Sequence, residues 1–176
     1  FTTMYKQFHQ QGYVPKMLGM AKAVLFPTAV EAMGDNLGEG LITEVWWSEN
    51  HPYVSSLTGQ SAKELCDMFT GEMDKQARAS VGYKHANVEL AIDALKRAQT
   101  LEREALRLAI AETDLDTIVG HVKFDEQNFS ELKLVIGQWQ QGDEWPYEMV
   151  IFSNTMAPEI TLSDKDVIFP LPGSTQ

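Results

Sequence analysis

The side chains that could do chemistry in this sequence are few and widely spaced. Four histidines are present, but no two stand at a spacing that puts both imidazoles on one face of a helix or strand; they are His9, His51, His85 and His121. Because a metal ion needs several ligands converging on one point, a metal site is not predicted. The sequence also lacks the G-x-S-x-G, P-loop and G-x-G-x-x-G motifs, so neither a catalytic centre nor a cofactor is expected.

Two short patterns invite a functional interpretation. Glu44 stands beside Trp46 and Trp47, and aromatic faces stack on sugars while a carboxylate can act as an acid. Glycoside hydrolysis takes a pair of carboxylates, however, so the favoured interpretation is a strand that packs aromatic side chains at a joint between domains. The GEG sequence at 38–40 lacks a third glycine and a following helix, and it is predicted to be a turn.

Composition limits the classes of function further. The chain has 176 residues, of which 44% are apolar, as is normal for a globular core. It carries 25 acidic against 14 basic residues, a formal net charge of -11. Because affinity for nucleic acid comes largely from lysine and arginine contacts to phosphates, nucleic acid is not an expected partner. No apolar run reaches the roughly 20 residues of a bilayer-spanning helix.

The single cysteine, Cys66, cannot form an internal disulfide. Its neighbours at helical spacing, Ala62, Leu65 and Phe69, are apolar. Cys66 is therefore predicted to be a small buried apolar side chain and not a nucleophile.

The elements that must position these residues alternate between helical and strand patterns. The predicted helices cover 3–11, 28–33, a segment from Thr58 or Ser61 to Phe69, 83–97 and 101–111. The predicted strands cover 14–20, 40–47, 116–125, 132–139 and 147–152. An extended tail with three prolines follows from Asn154.

Three of these segments carry specific expectations of burial. The strand over 116–125 is predicted to place Ile118, Val122 and Phe124 on one face. The apolar run at 132–136 is typical of a strand buried on both faces. The helix over 83–97 is predicted to bury one apolar stripe, which consists of Val88, Ala91, Ile92 and Leu95.

Four local patterns, taken in order, resemble a known family. They are GLIT at 40–43, GY at 82–83 opening a helix that closes with ALKR at 94–97, DTIVG at 116–120 with Phe124-Asp125, and GQWQQG at 137–142. Their order and spacing are similar to the C-terminal half of type I periplasmic binding proteins, the solute receptors of branched-chain amino acid ABC importers. The resemblance covers nearly the whole chain and leaves only the proline-containing tail outside it.

The resemblance implies an α/β fold made of parts of two doubly wound, Rossmann-like lobes, with a chain that crosses between them. Residues 1–43 would belong to the second lobe, residues 44–130 would return to the first, and residues 131–176 would go back to the second and end in the tail. The strand over 132–139 would carry the chain back across the hinge, whose few residues absorb the rotation when the lobes close.

The resemblance also implies ligand contacts just beyond the strand that ends at Met20. In members that bind aliphatic amino acids, an acidic residue at this place holds the ammonium group of the ligand, and the register puts Lys22 there. A lysine repels an ammonium and favours a carboxylate, so an organic or aromatic acid is predicted in place of a simple α-amino acid. The alternative is that the register slips by one or two residues and Lys22 points to water.

Three further residues are predicted to contact the ligand. Phe26 and Tyr83 are candidates for walls of the pocket, and either could equally be a core residue. His85 could face the ligand beside Tyr83, or could be a hydrogen-bonded structural histidine.

The function implied is that of a receptor, not an enzyme, which captures a small amino acid-like or organic acid ligand between two lobes by hinge closure. Its expected partners are the small-molecule ligand, the permease of an ABC transporter and an N-terminal remainder of the same protein, since the chain opens at Phe1 within a helical pattern. The expected location is the periplasm, or outside the cytoplasm on a lipid anchor.

Two other classes stay open as alternatives. A ligand-sensing regulatory domain uses the same fold, because fold does not fix function. An enzyme of α/β type ranks last, because the sequence offers no nucleophile, base pair or cofactor loop.

Overall fold

A computed structural model describes residues 1–175 of the chain. These residues form two compact units, and each is described by itself. Unit 1 consists of Phe1–Trp46 and Leu134–Gln176, and unit 2 consists of Trp47–Lys133. The last residue of the predicted tail, Gln176, lies outside the described residues. The chain therefore leaves unit 1 once and returns to it once.

The described chain contains five α-helices, one 3-10 helix and five strands. The α-helices are α1 (Thr2–Gln10), α2 (Pro27–Glu31), α3 (Ala62–Met73), α4 (Ala79–Ala98) and α5 (Arg103–Ala111), with a 3-10 helix at Ala21–Val24. The strands are β1 (Ile42–Val45), β2 (Asp114–Thr117), β3 (Gly120–Lys123), β4 (Val135–Gln140) and β5 (Glu148–Ser153).

Unit 1 is built on an antiparallel sheet of three strands in the order β1-β4-β5. In the register of β1 against β4, Ile42 pairs with Gln138 and Val45 pairs with Val135. The predicted strand over 14–20 is wrong as a full strand, because it contributes one parallel bridge, from Gly19 to Ile42.

The reason for this difference is that the start of the segment is engaged elsewhere. Pro15 has no amide hydrogen to donate to a sheet, and the carbonyls beside it accept hydrogen bonds from the C-terminal residues. Leu171 N donates to Lys16 O at 2.8 Å, and Thr175 N donates to Val14 O at 2.9 Å.

The C-terminal residues 166–175, called here the C-terminal strap, are held by a pair of buried glutamines on β4. Gln138 is 0% exposed and donates to the carbonyls of Gly40 and Ile168, at 3.0 Å each. Its side-chain oxygen accepts from Ile168 N at 2.8 Å, and Gln140 donates to Asp166 O at 2.8 Å. The strap is therefore an integral part of unit 1.

The core of unit 1 forms two groups of buried apolar side chains. The first group consists of Tyr5, Val24, Val30, Met33, Leu41, Trp139 and Tyr147. The second consists of Val45, Val135, Ile151, Ala157 and Ile160. Trp139 also donates its indole N–H to Val24 O at 2.6 Å, which ties β4 to the 3-10 helix.

Unit 2 contains three helices and the antiparallel hairpin β2-β3. A capping box starts α3: the Ser61 hydroxyl accepts from Glu64 N, and the Glu64 carboxylate accepts from Ser61 N at 2.8 Å. This arrangement satisfies amide groups that have no partner within the helix. The helix ends at Asp74 in a left-handed conformation.

Helix α4 buries a different face from the one its apolar pattern predicts. Val88 is 52% exposed and Leu95 is 42% exposed. The buried residues are Ala79, Gly82, Ala86, Glu89 and Ala94. The indole of Trp47 lies against Gly82, where a Cβ would come within 2.3 Å of it. A large aromatic ring can pack closely against a helix only where the helix residues are small. The face of α4 that carries Gly82 is therefore the one that packs against Trp47.

The predicted single strand over 116–125 is also wrong, because the segment folds back on itself as β2 and β3. Ile118 and Val119 form the turn, and Ile118 is fully buried there. Gly120 follows with a backbone φ of +113. Residues other than glycine rarely adopt this conformation.

The predicted strand over 132–139 forms three residues late, at Val135, and burial on both faces of its apolar run is not observed. Leu134 is 38% exposed and Ile136 is 36% exposed. The buried residues of β4 are Val135 and residues 137–140.

Candidate functional site

Lys22 lies in the 3-10 helix that follows the bridge between Gly19 and Ile42. The residue before it, Ala21, has φ 42, which is uncommon for a residue with a Cβ. The Thr43 hydroxyl donates to Ala21 O at 2.8 Å, and Thr43 is 2% exposed. Such strained positions persist where the surroundings hold them, and they cluster at functional sites.

Glu44 lies on β1, and Trp46 is the first residue after the strand ends at Val45. The Trp46 indole N–H donates to the Glu44 carboxylate at 3.2 Å. The ammonium nitrogen of Lys22 lies 6.0 Å from the centroid of the Trp46 ring. Lys22 is exposed, and Glu44 and Trp46 are half-buried. These three residues are called here the β1-end cluster.

The β1-end cluster combines a cation, an aromatic face and a fixed carboxylate. An ammonium can pair with an anion, and an indole face can pack against a flat apolar group. The sequence interpretation assigned the tryptophans to packing alone and did not connect Trp46 with Lys22. Only the fold brings them together, since they lie on different elements of unit 1.

Phe26 is the residue before α2 and is half-buried. Its extended backbone, with φ -111 and ψ 140, is the conformation that the following Pro27 imposes. Phe26 and Lys22 both lie in unit 1, on either side of the buried residues Val24 and Leu25.

Tyr83 and His85 lie on α4 in unit 2. Burial raises the pKa of Tyr83, so its hydroxyl stays neutral at physiological pH and can donate a hydrogen bond. His85 Nε2 lies 2.7 Å from the Ser55 hydroxyl, which also accepts from Leu57 N and Thr58 N. Because that oxygen accepts twice, it donates its own hydrogen to His85 Nε2.

Glu89 is a buried acid that the sequence interpretation missed. It is 0% exposed. One carboxylate oxygen accepts from Ser56 N at 2.5 Å and from the Ser56 hydroxyl at 2.8 Å, and the other accepts from Ile118 N at 3.0 Å. The sequence feature that could have indicated its burial is its position three residues after Ala86, on the same face of α4 as the small residues.

The remaining features of the described residues point to no other site. Among residues 1–175, no group of three or more His, Cys, Asp or Glu side chains could hold a metal ion. No described helix is both long and apolar enough to cross a membrane. A groove of about 360 Å³ in unit 2 is lined by seven residues that lie between positions 121 and 131, and it includes none of the four predicted ligand-binding residues.

Comparison with known proteins places this arrangement in context. A family model described as periplasmic binding protein matches residues 1–143. No curated protein sequence matches the chain closely enough to count as a relative.

Several crystal structures are similar to this chain in fold. The leucine binding protein LivK from Thermotoga maritima is 19% identical with a TM-score of 0.66, over 85% of this chain and 41% of that one. The substrate binding protein LivJ from Streptococcus pneumoniae, in complex with isoleucine, is 12% identical with a TM-score of 0.63, over 86% and 41%. A solute binding protein of an ABC transporter from Rhodopseudomonas palustris, in complex with 3,4-dihydroxybenzoic acid, is 19% identical with a TM-score of 0.62, over 89% and 43%.

These identities establish the fold alone. The chain spans about two fifths of the length of the structures it matches, 41% of LivK and 43% of the Rhodopseudomonas protein.

Proposed function

This chain belongs to the periplasmic binding protein family, and we propose that it forms part of an extracytoplasmic solute receptor of an ABC importer. The predicted fold class, parts of the lobes of a type I periplasmic binding protein, is confirmed by the structural likeness. The family is one of solute-binding proteins and not of enzymes.

The proposal assigns residues 1–43 and 131–176 to the second lobe of the complete protein and residues 44–130 to the first. The division of the described chain into unit 1 and unit 2 supports this assignment. An N-terminal remainder would complete both lobes, in keeping with the share of the relatives that this chain spans. A solute would be captured between the completed lobes by hinge closure, because it stabilises the closed form to the extent that it binds that form better.

The proposed ligand is a small amino acid-like or organic acid, with its carboxylate on Lys22. The observation that carries this proposal is the exposed Lys22 ammonium at the end of β1, beside Trp46. Isoleucine and 3,4-dihydroxybenzoic acid, the ligands of two similar structures, both contain a carboxylate. Phe26, Tyr83 and His85 are proposed as further contacts.

The receptor would act in the periplasm, or on a lipid anchor outside the cytoplasm, and would deliver its ligand to the permease of the transporter. The family match and the ABC transporter proteins among the similar structures support this role. None of the similar structures described above is a regulatory domain, so the sensor alternative stays a prediction without support.

The proposal is tested by titrating the complete protein with a panel of small acids, amines and α-amino acids in a calorimeter, for the natural sequence and for Lys22→Glu. We expect the natural protein to bind at least one carboxylate solute, and Lys22→Glu to lose affinity for it by about tenfold or more, since a charge-assisted hydrogen bond becomes a repulsion.

Lys16→Glu is the matched control, because Lys16 is an exposed lysine of the same unit and carries the same charge change. The receptor proposal fails if the complete natural protein binds no member of the panel. The role of Lys22 fails if the preference between acids and amines is the same in both proteins.

A further inference from the structure

The half-buried face of β1 is followed, directly after the strand, by Trp46, an aromatic side chain with a fixed orientation. Thr43, Val45 and Trp47 point into buried surroundings, while Glu44 and Trp46 are half-buried on the alternate positions. The Glu44 carboxylate holds the Trp46 indole N–H at 3.2 Å, and this bond limits the rotation of the ring. Trp46 is therefore positioned before any ligand arrives, which lowers the ordering cost of stacking on it.

The backbone around Lys22 is fixed as well. The left-handed turn at Ala21 starts the 3-10 helix, and the buried Thr43 hydroxyl holds the Ala21 carbonyl at 2.8 Å. The backbone next to Lys22 is thus tied to β1, the strand that directly precedes Trp46. The ammonium lies 6.0 Å from the ring centroid, at the outer limit of a cation–π contact. Little attraction is lost when the ammonium turns from the indole to an anion.

We propose that Lys22 and Trp46 form a subsite for an aromatic carboxylate, in which the aryl ring stacks on the indole and the carboxylate pairs with the ammonium. This inference rests on the proposed receptor function and narrows its ligand class. Glu44 is a positioning residue, which acts through the orientation of Trp46.

The chemistry of the subsite discriminates against three neighbouring classes of solute. An aliphatic acid keeps the ion pair but offers no ring to stack on the indole. A neutral aromatic compound stacks but leaves the ammonium without an anion. An aliphatic amino acid brings a second ammonium toward Lys22, which is a like-charge contact.

The experiment is calorimetric titration of the complete protein with benzoate, cyclohexanecarboxylate, benzamide and leucine. The variants are Lys22→Met, Trp46→Leu, Trp46→Phe and Glu44→Gln. We expect benzoate to bind most tightly to the natural protein. Lys22→Met and Trp46→Leu should each weaken benzoate binding by about tenfold or more, from the loss of a charged hydrogen bond and of an aromatic pair respectively.

Trp46→Phe keeps an aromatic face and should bind benzoate more tightly than Trp46→Leu. It also keeps the subsite testable if the leucine variant folds poorly. Glu44→Gln keeps an acceptor for the indole N–H and should stay within about threefold of the natural protein, since one hydrogen bond is retained. Lys16→Met and Trp145→Leu are the matched controls, an exposed lysine and a half-buried tryptophan of unit 1, and neither should change the affinity for benzoate.

The outcomes separate this inference from the receptor function. Tight leucine binding that is insensitive to Lys22→Met and Trp46→Leu would leave the receptor function standing and overturn the subsite. Equal affinity for benzoate and cyclohexanecarboxylate would remove the aromatic requirement and also overturn it. Failure of the complete protein to bind any solute, in this panel or in the wider one, would overturn the receptor function itself.

Discussion

Glu89 ties two loops of unit 2 to helix α4. Its carboxylate accepts from the amides of Ser56 and Ile118, which lie in segments far apart in the sequence. Four residues earlier on the same helix, His85 binds the neighbouring Ser55. Together these two side chains fix the loop that precedes α3, and both oxygens of the buried Glu89 side chain have hydrogen-bond donors, as a buried polar group needs.

Glu89→Ala should lower the free energy of unfolding of the complete protein by about 2–4 kcal/mol, because the buried Ile118 amide and the Ser56 amide lose their acceptor. Glu89→Gln should also lower the free energy of unfolding. Its side-chain NH₂ group must face one of the N–H groups that donate to the carboxylate in the natural protein. Urea denaturation measures both effects.

The control for Glu89 is Glu72→Ala, which removes an exposed acid of α3 and should change stability by less than about 0.5 kcal/mol. Equal stability of the Glu89→Gln variant and the natural protein would show that the three hydrogen bonds contribute little.

The burial of a single residue was predictable from the sequence where it depends on neighbouring residues of the same helix. Cys66 was predicted to be buried, and it is 6% exposed, with burial raising the pKa of its thiol to about 12. The thiol therefore stays neutral at physiological pH, which makes it a poor nucleophile. Lys22 and Trp46 are separated by 23 intervening residues along the chain, and no local pattern indicates that they meet.

Helix α4 shows what an element's own sequence does and does not determine. Its existence was predictable from composition and period. Its buried face was not, because Trp47 lies against Gly82 and the hairpin turn binds Glu89, which both lie away from the apolar stripe. The apolar stripe alone does not predict the inward face, because residues from outside the helix, the Trp47 ring and the hairpin turn, lie against the small-residue face.

Gly82→Ala should destabilise the protein by about 1–3 kcal/mol, because the new methyl group would overlap the Trp47 ring at 2.3 Å and a packed core resists added volume. Gly71→Ala in α3 is the matched change, since no heavy atom lies within 4 Å of its Cβ position. That variant should be more stable by about 0.5–1 kcal/mol, the difference in helix propensity.

Thermal unfolding of the two glycine variants, side by side, measures the contrast. If both variants raised the unfolding temperature, helix propensity would decide the outcome at Gly82. The Trp47 ring would then move aside without a measurable loss of stability.

Strand elements were predicted less well than helices, for two physical reasons. The segment 116–125 contains enough β-branched residues for one strand, but Gly120 permits a reversal that a strand pattern does not show. The segment 14–20 meets a sheet only at Gly19 because the C-terminal strap takes the carbonyls of Val14 and Lys16. Competition for backbone partners between distant segments cannot be seen in either segment alone.

On the scale of the whole molecule, unit 1 is assembled from the two ends of the chain. The C-terminal strap completes unit 1 by accepting hydrogen bonds from the side chains of Gln138 and Gln140, both of which are buried. The sequence predicted an extended tail along a surface, and the hydrogen bonds show that the strap also supplies partners to the interior of unit 1.

A protein that ends at Asp164 should lose protection in β4, because the buried side-chain amides of Gln138 and Gln140 lose the carbonyls of Ile168 and Asp166 as acceptors. Hydrogen exchange should be faster at 135–140 by about tenfold or more, as a loss of about 1.4 kcal/mol or more in local opening energy implies. Exchange in α3 and α4 of unit 2 serves as the internal control and should be unchanged.

The opposite result, unchanged exchange in β4 after this truncation, would mean that water replaces the strap without cost. Exchange that quickens to the same extent in both units would mean that the strap acts on the whole chain and not on unit 1 alone.

The pairing of Val45 with Val135 has a consequence for modularity. The chain departs for unit 2 just after Val45 and comes back just before Val135, so both connections begin at one rung of the sheet. Unit 2 is in effect a cassette inserted between neighbouring strands. A change in the length of unit 2 should therefore leave the register of β1 against β4 unaltered, provided that the two ends of unit 2 stay close together.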